Sequence, residues 1–231
     1  MKHFPLDKNY ANLLCTYNIS IDEILRKADL PLDLFNRNNP SITSYEYYRF
    51  MKAVDDVVPN KELPIQLATA EQIETISPPI FAAYCSKNAR ECIYRISQYK
   101  ALAGAIVFHV SEETDNITVH ICGEDNIELP EIIVGIEMVL LVNLIRKATK
   151  EHIVPQNVYI RKPFENVNYE NFLDITTEVG EFDAIVFSQK DVEIPFITRN
   201  ESMWVFLNQN SKNGLVKWIV MITFQQKSVV F

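Results

Sequence analysis

The chain has 231 residues, of which 48% are hydrophobic, 11% aromatic and 23% charged. That is ordinary globular usage, long enough for a sizeable core and too apolar for wholesale disorder. Asp and Glu number 30 against 22 Lys and Arg, a formal charge of −8, which argues against a nucleic-acid surface because phosphate binding needs clustered cations.

The glycines Gly104, Gly123, Gly135, Gly180 and Gly214 stand too far apart for a phosphate-cradling loop or a nucleophile elbow. The cysteines Cys15, Cys85, Cys92 and Cys122 form no CxxC pair, so no structural zinc is expected. The N-terminus, MKHFPLDKNY, has no apolar h-region and so no visible signal peptide. Thiols without an export signal point to a reducing cytoplasm. The N-x-S/T triplets at Asn18, Asn116 and Asn200 are then chance matches.

In chain order, the first hundred residues read as a helical array. A short amphipathic piece covers 8–17. Ser20 with Glu23 fits a capping box ahead of IDEILRKA, and Pro31 suits the first turn of a further short helix, PLDLFNR. Thr43 with Glu46 repeats that spacing before SYEYYRFMKAVDDVV, which stops at Pro59. Asn60 is placed to cap KELPIQLATAEQ, and Asn88 to cap ARECIYRISQYKALA, which ends near Gly104.

The pattern then changes to strand. Ile106, Phe108 and Val110 alternate with Val107 and His109, and Ile117, Val119 and Ile121 alternate with Thr118 and His120, around the polar turn SEETDN. This predicts a hairpin with one apolar face. LPEIIVGIEMVLLVNLIRKATKEH (129–152) is apolar almost all round from Ile132 to Ile145, short of the roughly 20 residues of a membrane span and interrupted by Glu137 and Asn143, so a buried core helix is expected. NVYIRKPF (157–164) reads as strand, NYENFLD as a short helix, and TTEVGEFDAIVFS (176–188) as further strand with a turn or bulge at Gly180. The expected fold is α+β: a helical part over 1–103, then a mixed sheet over 104–204 in the order β-β-α-β-α-β-β, with the long helix on one face. The tail beyond about Leu207 contains LVKWIVMITF, an aggregation-prone run with no gatekeeper.

No catalytic constellation is visible. His109 and His120 share the less apolar face of the hairpin. If Val110 pairs with Ile117, His109 lies opposite Thr118 and diagonal to His120. Two imidazoles could serve an acidic effector or a metal, yet no third ligand is spaced to help. Glu137 inside the most apolar helix needs a partner, either a basic ligand group or a neighbouring Lys or Arg. Tyr84 and Tyr99, with Tyr45, Tyr47, Tyr48, Phe50 and Tyr94, could line an effector pocket or pack with their hydroxyls at the surface. Cys85 and Cys92 are expected to be buried and inert. IDEILRKADLPLDLFNR has a faint helix-turn-helix outline, but its would-be recognition helix carries Asp33 and almost no basic residue, so it reads as helical packing.

Several phrases are collinear with a known family. SPPIFAAYCSKNARECIYRISQYKALAGAI (77–106) resembles the N-terminal "arabinose-binding" effector domain of AraC-type transcription regulators, through Ser86, Asn88, Tyr99, Lys100, Leu102 and Gly104. KADLPLDLF (27–35) is similar to the family's Ala-Gly-Leu-Pro phrase, with Asp29 where Gly is usual. VNLIRKATKEHIVPQNVYI (142–160) and FSQKDVEIPFITRNESMW (187–204) resemble its later blocks. Leu173-Asp174 departs from the family's frequent Phe-Gly. The resemblance runs from about residue 10 to Trp204. It implies a small-molecule sensor over 1–204, with no cofactor and no catalytic, metal or DNA-binding residues. Allosteric coupling to a C-terminal helix-turn-helix half is also implied, and so is a homodimer or pairing with full-length copies. The candidate effector contacts are Tyr84, Tyr99, His109, His120 and Glu137.

After Met203-Trp204 the family typically continues Phe-Phe-Glu-Pro-x-Leu. Here FLNQNSKNGLVKW follows. One back-translation of that phrase, with a single T inserted, reads FFEPELKKRLSEM. The expectation is a sensor truncated before its DNA-binding half, with 205–231 an aberrant, out-of-frame tail. The alternatives are a stand-alone ligand-binding or interaction protein that exposes 215–224, and a small-molecule enzyme using His109, His120 and Glu137.

Overall fold

A computed structural model describes residues 3–6, 11, 14–15, 17–58, 60–70, 78–103 and 105–212. The amphipathic piece at 8–17 lies largely outside the described residues, and the 215–224 run lies wholly outside them.

The helical array begins with α1 (Ile21–Lys27), where the Ser20 hydroxyl accepts from the Glu23 amide at 3.4 Å. The PLDLFNR helix is not formed. Only a single 3-10 turn, Leu34–Asn36, is present. Leu34 alone of that turn is buried, Asn36 ends it, and Arg37, Asn38, Asn39 and Pro40 follow, too poor a sequence to meet the cost of helix nucleation. The helix-turn-helix outline therefore has no second helix. A pair of three-residue strands, β1 (His3–Pro5) and β2 (Ser41–Thr43), lies antiparallel with Phe4 opposite Ile42. Three residues carry too little alternation to be legible in sequence.

α2 (Ser44–Val57) opens on the expected capping box. The Thr43 hydroxyl accepts from the Glu46 amide at 3.3 Å, and the Glu46 carboxylate accepts from the Thr43 amide at 2.7 Å. The Asn60 side chain accepts from the Glu62 amide at 3.0 Å, but the helix it is expected to start at Lys61, α3 (Leu63–Thr69), begins two residues later. α4 (Pro78–Tyr84) leads to α5 (Ala89–Ala103), capped by Asn88 through the Glu91 amide at 3.0 Å.

The second part is a five-stranded sheet in the order β3-β4-β7-β5-β6, built from β3 (Ile106–Glu112), β4 (Asn116–Gly123), β5 (Asn157–Ile160), β6 (Glu178–Val179) and β7 (Ala184–Ser188). Neighbours are antiparallel except β5 and β6, which are parallel. The strand read over 157–164 stops at Ile160, and the one read over 176–188 is divided between β6 and β7. Pro163 and the run Gly180–Phe182 interrupt the pleat.

α6 (Glu131–Thr149) joins β4 to β5. It is buried nearly all round because α2, α3 and α7 (Asn168–Leu173) all pack on it. Gly135 is required here, since a β-carbon would collide with the Tyr169 ring of α7. No helix among the described residues is long and apolar enough to cross a membrane.

Ile117, Val119, Ile121, Ile185, Phe187 and Val158 form the inner sheet face. They join one core cluster with Ile24, Phe50, Ile93 and Met138 from the helices. The helical and sheet parts thus share a core. Two short helices close the described chain: α8 (Gln189–Val192) and α9 (Glu201–Lys212).

Candidate functional site

His109 and His120 face each other directly across the hairpin, because Val110 pairs with Val119 rather than Ile117. The difference of two positions from the expected register arises in the polar turn. Ser111 and Glu112 stay in the ladder, opposite Thr118 and Ile117, and the turn is closed by the Glu113 amide on the Asn116 carbonyl at 2.9 Å. His120 packs edge-on to Phe182, with ring centroids 4.8 Å apart, and Phe182 packs on Tyr159. Burial, then the charge of His109, holds the His120 imidazole below its ordinary value. Among the described residues no cluster of three or more His, Cys, Asp or Glu is arranged to hold a metal.

Glu137 lies on the other side of the sheet. Lys100 of α5 donates to its Oε1 at 2.5 Å and sits 5.5 Å from the Phe108 ring of the inner face. The second carboxylate oxygen is buried without a hydrogen-bond partner among the described residues. Tyr99 precedes Lys100 on α5, whereas Tyr84 ends α4, where its carbonyl accepts from Thr198 at 2.6 Å. The candidates therefore form two groups, the histidine pair outside the sheet and the Glu137–Lys100 pair inside. Two of the other aromatics tie elements together. The Tyr48 hydroxyl donates to the Ala105 carbonyl and accepts from the Glu124 amide, tying α2 to the hairpin, and Tyr94 donates to Glu112 at 2.8 Å. Cys85 and Cys92 are buried, and desolvation pushes both thiols up, away from the reactive thiolate.

A separate cavity lies elsewhere. A groove of about 260 Å³ opens where α2, the start of α6 and the end of β5 meet. None of the five sequence candidates lines it. Its charged lining comes from Lys52 and Asp55 of α2, Glu128 and Glu131 around the α6 start, Arg161, Lys162 and Glu165 after β5, and Asp183 before β7.

The walls are firmly held. Glu131 accepts from the Glu165 and Asn166 amides at 3.0 and 2.9 Å, Asn166 donates to the Lys61 carbonyl at 2.6 Å, and Lys162 meets Glu128 at 2.6 Å. Asp183 is buried and takes the Arg161 amide at 2.9 Å. Its second oxygen stands 3.8 Å from Arg161 Nε, which is buried and has no hydrogen bond among the described residues. Burial raises the Asp183 carboxyl, against the lowering effect of the Arg161 amide and charge. Pro130, the residue before α6, gives that helix no side-chain cap. The groove is not legible in sequence because Arg161 and Lys162 continue the apparent strand over 157–164. Pro163 two residues later was the available sign that the strand ends first.

Residues 19–196 match the family described as the arabinose-binding domain of AraC transcription regulators, N-terminal. The chain belongs to this family. Its fold is similar to that of the transcriptional regulator CdpR from Pseudomonas aeruginosa, with a TM-score of 0.56 at 12% identity, over 86% of this chain and 60% of that one. No curated protein matches it by sequence. The AraC-type assignment and the fold together point to a regulatory ligand-binding domain rather than an enzyme.

Proposed function

We propose that the chain is the small-molecule sensor of an AraC-type regulator, working in the cytoplasm, and that its effector enters the groove between the helical part and the sheet. The observation that carries this reading is the groove itself, walled by both halves of the family's domain and by charged side chains that are incompletely paired. A ligand touching α2, α6 and β5 at once has different contacts in any arrangement that moves those elements apart, which is the requirement for shifting a two-state equilibrium. The signal would leave through α9 toward a DNA-binding half, and the sensor would act as a dimer or paired with full-length copies. The tail from about residue 207 is read, on the same proposal, as out of frame.

An enzyme built on His109, His120 and Glu137 is disfavoured, since the histidines and the carboxylate lie on opposite faces of the sheet. The test is a thermal-shift screen of the full chain against amino acids, organic acids, polyamines and sugars. A ligand at a hundredfold excess over its dissociation constant adds about 2.7 kcal/mol, a rise of several degrees for a domain of this size. A screen in which nothing raises the transition overturns the sensor reading.

A further inference from the structure

Eight of the thirteen residues lining the groove are charged, three basic and five acidic. Charged groups give up water only for charged or strongly hydrogen-bonding partners. Many of these groups already have such partners within the wall. Lys162 is held by Glu128, Glu131 by two amides, Lys52 by Asp56 at 2.8 Å, and Asp55 by Lys61 at 3.4 Å.

Arg161 and Asp183 differ from them. The Nε–Oδ2 separation of 3.8 Å is an ion pair without a hydrogen bond, so one guanidinium edge and one carboxylate oxygen keep unused capacity at the same point of the cavity. A guanidinium fork matches a carboxylate in two parallel bonds, while a buried carboxylate with a free oxygen matches an ammonium. The aromatic surface that a sugar ring would stack on is confined to Phe164, whose ring already packs on Tyr169 at 4.9 Å.

We infer that the groove binds a small zwitterion of the amino-acid type, its carboxylate on Arg161 and its ammonium on Asp183. The excess of acidic over basic lining groups favours a ligand with a second amine over one with a second carboxylate. This rests on the sensor reading above and narrows it to a ligand class.

The experiment is isothermal titration of the full chain with L-lysine, L-alanine, L-glutamate, acetate, methylamine and L-arabinose, in parallel on wild type, Arg161→Met, Asp183→Asn and His109→Gln. The expected order is lysine, then alanine, then glutamate. Acetate and methylamine should bind at least tenfold more weakly than alanine. Arg161→Met and Asp183→Asn should each weaken lysine tenfold or more, and His109→Gln should leave it unchanged. Asp183→Asn keeps an acceptor for the Arg161 amide, so it still reports if Arg161→Met fails to fold. Amino-acid binding that survives both groove substitutions overturns the assignment. So does arabinose binding without any amino-acid binding, although the sensor reading then stands. If neither these probes nor the wider screen binds, the sensor reading itself fails.

Discussion

Asp29 and Asp174 are the two places where the chain departs from the family's glycine, and both have backbones in the left-handed region, with φ of 53° and 61°. A β-carbon is disfavoured there, Asp and Asn less than most because a short polar side chain tolerates the turn. Asp174 ends α7, its amide returning to the Glu170 carbonyl at 2.9 Å, the usual work of a C-terminal glycine. The side chains add little. Asp29 is 94% exposed where it meets Arg49, and exposed pairs are worth about 0–1 kcal/mol. Asp29→Gly and Asp174→Gly should therefore leave stability unchanged or raise it by about 0.5 kcal/mol, whereas Asp29→Val and Asp174→Val should cost about 1–3 kcal/mol. Urea midpoints separate the two cases, and equal losses with Gly and Val would refute the backbone argument.

Among the elements, caps and apolar periods were the legible parts. Thr43/Glu46 and Asn88 start helices where their side chains satisfy free amides, and Ile117, Val119 and Ile121 face the core as their alternation requires. The hairpin register was not legible, because the polar residues Ser111 and Glu112 pair as readily at an outer strand as they would loop. That register sets the two imidazoles side by side and carries a pH consequence. His120 in the folded state titrates below its ordinary 6.5, through burial first and His109 second. The unfolded chain then binds more protons than the native one just below that value, so stability falls as pH drops. Urea midpoints taken from about pH 8 to about pH 5 should decline below 6.5, and His120→Gln should flatten the decline. An unchanged slope in that variant would assign the acid sensitivity to another group.

On the scale of the whole molecule, the groove was illegible because it is assembled from α2, the α6 start and the loops around β5 and β7, segments that no local pattern links. What the sequence did carry was the block from Phe187 to Trp204, and the structure explains its extent. The Phe196 amide donates to the Lys87 carbonyl, Ile197 to Ala148 and Asn200 to Cys85, at 2.8–3.0 Å, lacing this segment to the α4–α5 junction and the end of α6. α9 is then fastened by Arg95 of α5. Its guanidinium is buried, lies 3.7 Å from the Trp204 ring centroid, and pairs with Glu91 at 3.1 Å and Glu201 at 4.0 Å. The helix that secures α9 is thus the one whose Lys100 holds Glu137 in α6, the helix that also walls the groove.

A desolvated cation–π contact is worth about 2 kcal/mol, small against the shared core. Trp204→Ala should therefore release α9 while the domain stays folded. Hydrogen exchange should speed up at least tenfold for the amides of 201–206, and the amides of β4 and α6 should keep their protection. Zwitterion affinity should change by at least twofold, because binding and output are reciprocally linked if the signal leaves through α9. Global loss of protection would instead make α9 part of the core, and unchanged exchange at 201–206 would mean that Arg95 and Trp204 do not fasten it. Under either result α9 could not serve as a separable output of the effector groove.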